Sequence, residues 1–376
     1  MGKPPRRTGG WLALALAAVV ATGCGSGPSP KSSAVDSSPS PAPASSGGSG
    51  VPATVYVHYY LWWTSRHWVD KLGPAYPYGS APIPGSIDGL GCNPKVDYSG
   101  AQIVDVPAEG LYDQAQSTTF QRHIALAGRA GLKGFLADWQ GTGYATQGPG
   151  SSGYNSRLDL LVTAVDAYNA QHGSSFGLGL AYASFGDYAR PASWVIADLL
   201  YFAGRYGKDA AFRNGYSTRP IVMWLNSRKY SAGTIQAVAK AVRPYVYLLG
   251  DETSASWPKD GPYLDGTSYY WSTQDPWNNS RAATAVGQLA AQVHADGKQW
   301  FAPFIAGYNK QLMGGTCVQR RGTQTLTELW RINGATRPDG WFGISWNEFV
   351  ENTYLEPSKR YGSMYLDALA ALIRSS

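Results

Sequence analysis

Gly134-Phe135-Leu136-Ala137-Asp138-Trp139 and Phe176-Gly177-Leu178-Gly179-Leu180-Ala181-Tyr182-Ala183 are short apolar runs, and between them Leu158, Leu161, Val162 and Val165 recur at helical spacing. Strand, amphipathic helix and strand in that order form a parallel crossover unit, because parallel neighbours need a connection of about a dozen residues or more. The same alternation runs along the whole chain. Further strands are expected at 54–60, 220–226, 245–250, 266–271, 300–307 and 341–346, which makes eight in all. Helical stripes accompany them at Ile196, Leu199, Leu200 and Ala203, at Val286, Leu289, Ala290 and Val293, and at Tyr365, Ala368, Leu369 and Leu372. Helices apolar on one face, set between mostly apolar strands, lie on a parallel sheet, and eight such units close most economically as a (β/α)8 TIM barrel. An open doubly wound sheet is the alternative, and no G-x-G-x-x-G or Walker loop follows a strand to support it.

Toward the N-terminus, Lys3, Arg6 and Arg7 precede the apolar run from Trp11 to Val20, which is too short for a permanent membrane span and reads as an export signal. It ends in Ala21-Thr22-Gly23-Cys24, which resembles the lipobox of bacterial lipoproteins, with Cys24 as the lipidated residue and alanine where leucine is usual. An ordinary signal peptide with a chance cysteine is the other reading. Residues 25–50 are almost wholly Ser, Pro, Gly and Ala, which bury too little apolar surface to offset the entropy of ordering. The expected organisation is a signal with lipobox over 1–24, a disordered tether over 25–50, and one barrel domain over 51–376, held as a monomer on the outer face of the cell membrane. The net charge of +6 falls to +3 without Lys3, Arg6 and Arg7, and no Lys/Arg cluster remains in the barrel, which argues against a nucleic-acid partner. With Cys24 lipidated, Cys92 and Cys317 are the remaining thiols in an oxidising compartment and are expected to pair. Two separate buried thiols are the alternative, since spacing in sequence does not give the distance between Cα atoms.

In such a barrel the site forms at the C-terminal ends of the strands. The residues there are Tyr60, Trp62 and Trp63; Asp138 and Trp139; Tyr182; Trp224 and Asn226; Asp251 and Glu252; Tyr270 and Trp271; Tyr308; and Asn347, Glu348 and Glu351. The chain's 14 Trp and 25 Tyr could simply fill a core, but rings gathered at one end with acids among them suit sugars, whose ring faces are apolar and whose rims need polar partners. Substrate contacts are expected from Tyr60, Trp63, Asp138, Trp139, Tyr182, Trp224, Glu252, Tyr270, Tyr308 and Asn347. Of Trp62 and Trp63, one faces the core and the other the groove.

The last strand runs into Gly343-Ile344-Ser345-Trp346-Asn347-Glu348-Phe349-Val350-Glu351-Asn352-Thr353-Tyr354-Leu355-Glu356-Pro357, with three carboxylates close together. Cleavage of a glycosidic bond commonly uses two carboxyl groups with different proton affinities, so one of them should be desolvated or sit near another negative charge. In a continued strand Glu348 and Glu351 would point to opposite faces about 10 Å apart. The chain must therefore bend after Glu348 for both to reach one pocket, and Asn352 and Pro357 are compatible with a turn.

This segment resembles glycoside hydrolase family 99 and, more distantly, family 71. The likeness lies in the order Asn347-Glu348-Phe349-Val350-Glu351-Asn352-Thr353-Tyr354-Leu355-Glu356-Pro357, in the aromatic first strand Val57-His58-Tyr59-Tyr60-Leu61-Trp62-Trp63, and in Gly131-Leu132-Lys133-Gly134-Phe135 leading to Asp138-Trp139. The resemblance implies an endo-acting, retaining enzyme on α-linked glycans of the α-mannan kind, in which the substrate's own 2-hydroxyl attacks C1. Glu348 would then draw the proton from that hydroxyl, and Glu351 would protonate the leaving oxygen and later activate water. Asn352 stands where the family has glycine, and Phe349 where tryptophan is common. Glu356, before a proline, more often anchors its loop than touches sugar.

The five histidines, His58, His67, His123, His172 and His294, form no H-E-x-x-H pattern, so neither a metal nor another cofactor is expected. No G-x-S-x-G follows a strand, which argues against a serine esterase. An α-1,3-glucanase, suggested by the family 71 likeness, and a non-catalytic carbohydrate-binding lipoprotein are the alternatives.

Overall fold

The structure is a computed structural model that describes residues 54–142, 153–184 and 189–376. The signal with Cys24 at 1–24 and the tether at 25–50 lie outside the described residues. Eight strands form the barrel: β1 Val55–Tyr60, β2 Gly134–Trp139, β3 Gly177–Ala183, β4 Ile221–Leu225, β5 Tyr247–Asp251, β6 Gly266–Ser268, β7 Gln299–Ile305 and β8 Gly340–Ile344. All pair in parallel, each beside the next in sequence, and β1 pairs with both β2 and β8 to close the ring. The sixth run pairs only over three residues, because beyond Ser268 the Tyr270 backbone N–H turns to the Asp251 carboxylate (2.9 Å) instead of a neighbouring strand.

The helices are α1 Ser117–Arg129, α2 Tyr154–His172, α3 Ala192–Tyr206, α4 Ala232–Val242, the short α5 Trp257–Asp260, α6 Ala282–Ala295, α7 Gln324–Gly334 and α8 Met364–Arg374; a further helix, Ser65–Leu72, lies in the loop after β1. Local chemistry sets their ends. Ser231 Oγ accepts from Thr234 N (3.1 Å) at the start of α4. Gly173, in the left-handed region at φ 58°, stops α2.

Alternate residues of each strand enter different cores. Tyr56, Leu136, Ala181, Met223, Leu249, Phe301 and Phe342 fill the barrel, whereas Val57, Phe135, Leu180, Val222, Leu248, Ala302 and Trp341 pack against the helices. Each large side chain buried this way stabilises the fold by roughly 1.5–3 kcal/mol relative to exposure. A third cluster, with Trp63, Trp68, Tyr76, Phe349 and Tyr354, fastens the long first loop to the segment after β8. Cys92 and Cys317 form a disulfide, with Cα atoms 6.0 Å apart, that joins the loop after β1 to the loop after β7.

Candidate active site

Beyond β8 the chain turns back on itself. Ser345 N donates to Thr353 O (3.1 Å), Thr353 N donates to Glu348 O (3.1 Å), and Leu355 N and Glu356 N both donate to Trp346 O (3.0 Å). The two hydroxyls Ser345 Oγ and Thr353 Oγ1 meet at 2.9 Å. The turn closes on Asn352 at φ 53°, a left-handed conformation that asparagine tolerates better than most residues, and Asn352 Nδ2 donates to Asn309 O (3.0 Å). Asn352 thus keeps the left-handed backbone shape and adds a tie. Because the strand does not continue, Glu351 comes close enough for its charge to act on Glu348.

Their surroundings are unequal. Glu348 is 3% exposed, and its Oε1 accepts from Val350 N (2.7 Å) and Glu351 N (3.3 Å). Burial, and then the charge of Glu351, push its pKa up to about 8, while the two N–H groups and Lys310 pull the other way. Glu351 is more open, and its Oε1 lies 2.9 Å from the Lys310 ammonium. A carboxyl that keeps its proton near neutrality beside one that is paired with a cation is the equipment of acid–base chemistry.

Around the pair stand Tyr60 and Tyr270, whose hydroxyls are in direct contact, and Tyr308. Burial raises the pKa of each tyrosine and the two glutamates add to the rise, so these hydroxyls remain neutral donors. Asp138 is the in-register neighbour of Tyr60 on the adjoining strand, and its Oδ2 lies 3.1 Å from His58 Nδ1. Burial raises the pKa of Asp138 and His58 offsets part of the rise.

The structure therefore brings Tyr60, Asp138, Tyr270 and Tyr308 together with Glu348 and Glu351, and takes the other expected contacts elsewhere. Trp139, Tyr182 and Trp224 form one register row across β2, β3 and β4, on the side facing the helices. Trp139 Nε1 donates to Asn155 in α2 (2.7 Å), the Tyr182 hydroxyl to Asp198 in α3 (2.7 Å), and Trp224 Nε1 to Ser184 Oγ (2.7 Å). The row one residue earlier, Asp138, Ala181 and Met223, faces inward. Trp63 is buried in the core of the first loop, stacked on Trp68 at 3.9 Å with its Nε1 donating to Asn347 O (2.6 Å), while the partly exposed Trp62 stacks on Tyr60 at 4.4 Å. Glu252 lies behind β5, where it accepts from Ser227 Oγ and feels the charge of Asp260. Asn347 has both ends of its amide on the Tyr60 backbone, Oδ1 accepting from Tyr60 N (2.8 Å) and Nδ2 donating to Tyr60 O (3.0 Å). It holds Tyr60 in place and has little left to offer a ligand. Glu356 anchors its loop, accepting from the Tyr112 hydroxyl (2.8 Å) with His123 Nε2 at 3.2 Å.

Three further residues serve the site without having been expected to touch substrate, although Asp251 stands at a strand end. Lys310 is a single lysine after a strand, His58 sits within the first strand, and Asp251 acts at a distance by holding Asn226 N (2.8 Å), Tyr270 N (2.9 Å) and the Arg228 guanidinium.

No family model matches the chain, and no curated protein sequence matches it. Solved structures do. The glycoside hydrolase family 99 endo-α-mannosidase of Bacteroides thetaiotaomicron, in complex with bis-tris-propane, aligns over 86% of this chain and 97% of its own with a TM-score of 0.64 and 15% identity. A second structure of that endo-α-mannosidase aligns over the same shares with a TM-score of 0.65 and 16% identity. A glycoside hydrolase-like protein aligns over 87% of this chain and 97% of its own, with a TM-score of 0.58 and 16% identity. At these identities the likeness is one of fold.

Proposed function

We propose that this chain is an extracellular glycoside hydrolase that cuts within α-linked glycans of the α-mannan kind and retains the anomeric configuration, tethered to the membrane through lipid on Cys24. The observation that carries the reading is the convergence of Glu348 and Glu351 at the carboxyl end of the barrel, in unequal surroundings and among tyrosine hydroxyls. The fold shared with an endo-α-mannosidase supports the choice of substrate class. In this scheme Glu348 draws the proton from the sugar 2-hydroxyl as that oxygen attacks C1, and Glu351 protonates the leaving oxygen and then activates water. Burial and the charge of Glu351 favour the protonated form of Glu348 at rest. That resting distribution favours a second reading, in which Glu348 is the acid and Glu351 the base. An aryl glycoside with a good leaving group separates the two, because only the variant lacking the acid keeps its turnover on such a substrate.

The test is parallel digestion of α-mannan and α-1,3-glucan oligosaccharides by residues 51–376, with products resolved by mass and anomers by NMR. Internal cleavage of the mannan supports the proposal. Cleavage of the glucan alone reassigns the substrate, and binding without release of reducing ends leaves a carbohydrate-binding protein. Retention of lipid on a Cys24→Ala chain would remove the anchor.

A further inference from the structure

After β7 the chain makes a narrow hairpin in which Tyr308–Asn309 pairs with Cys317–Val318, and Lys310 begins its turn. Lys310 N donates to Thr316 O (3.1 Å) and Gly315 N donates to Lys310 O (3.0 Å). The turn packs so closely that a Cβ on Gly315 would stand 2.8 Å from the Lys310 Cβ. On its outer side the hairpin is tied to the loop after β1 by the Cys92–Cys317 bond, by Asn309 Nδ2 donating to Gly91 O (2.9 Å), and by Arg320 N donating to Leu90 O (2.6 Å). On its inner side Asn309 N donates to Glu351 O (2.7 Å), and Arg320 Nη2 donates to Asn352 O (2.7 Å) and Tyr354 O (3.2 Å). Both backbones that carry the Lys310–Glu351 pair are therefore fixed to each other, and the pair's 2.9 Å separation is a property of the scaffold.

We propose that Lys310 is a positioning residue for the carboxyl pair: it holds the Glu351 carboxylate in place and sets a fixed positive charge beside the two glutamates. This rests on the reading of Glu348 and Glu351 as the acid and base. Two carboxyls that feel each other titrate as a unit, so a cation on one of them moves both steps. The groups facing Glu351 are Glu348 on its own turn, Lys310 from the hairpin, Tyr308 after β7, Tyr60 on β1 and Tyr270 after β6. Behind them, Lys71 from the helix after β1 acts on Glu348, and Asp138 on β2 acts on the two tyrosines. The tyrosines are neutral and Asp138 opposes the effect. Among the described residues, Lys310 is the cation in direct contact.

The full chain carrying K310M or K310R tests this. K310M should move both limbs of the kcat/KM pH profile upward by about one to three pH units, the range by which an adjacent opposite charge shifts a carboxyl. K310R should leave both limbs near their wild-type positions. A uniform loss of rate in K310M with unmoved limbs would overturn the proposal and leave Lys310 a structural residue. If K310M does not fold, K310Q is read in the same way. If the wild-type chain cleaves no glycan, the proposed function falls, and infrared titration of the carboxyl bands, identified with E348Q and E351Q, still decides: an upward shift in K310M supports the role and an unchanged titration removes it.

Discussion

Glu348 and Glu351 are three positions apart, yet one is enclosed and bonded to backbone N–H groups while the other meets an ammonium. Replacing either with glutamine should lower turnover by about 10²–10⁴-fold at pH 7, the range for loss of a general acid or base. The melting temperature should stay level, because glutamine mimics the protonated carboxyl that enclosure favours at position 348 and still offers an oxygen to Lys310 at position 351; a variant with wild-type turnover would lose its assigned role. These two acids were legible because they stand in a motif at a strand end. Lys310 was not, since a lone lysine has no spacing to betray it, and Asn347 was misjudged because a buried amide and a sugar-binding amide look alike in sequence.

At the scale of elements, every barrel strand was legible and the direction of half its side chains was not. Strands covered on both faces are apolar throughout, so the alternation that separates inside from outside in a half-exposed sheet is missing. Trp139, Tyr182 and Trp224 were therefore assigned to the groove, although each is one residue out of step with Asp138, Ala181 and Met223. The distinction is measurable. Tyr182→Phe should lower stability by about 1 kcal/mol through loss of the bond to Asp198, with KM unchanged. Tyr270→Phe, which strips a hydroxyl from beside the glutamates, should instead change KM or kcat. A raised KM in Tyr182→Phe would return that row to the substrate.

Across the whole molecule, the barrel was legible from its eightfold alternation, and its detailed tolerance of pH was not. Glu252 is enclosed behind β5 near Asp260, and burial raises its pKa to about 8. An acid whose folded pKa lies above its unfolded value stabilises the fold fully below the unfolded value, near 4.3, and that contribution is lost as pH rises toward 8. The melting temperature should accordingly fall between pH 5 and 8, and fall less in Glu252→Gln; equal slopes would show that Glu252 does not hold its proton. The clasp between Asn347 and the Tyr60 backbone joins residues 287 positions apart. Tyr60 gains its clamp, and the pocket its two glutamates, only after the final strand has been synthesised, so a nascent chain on the ribosome holds an incomplete site.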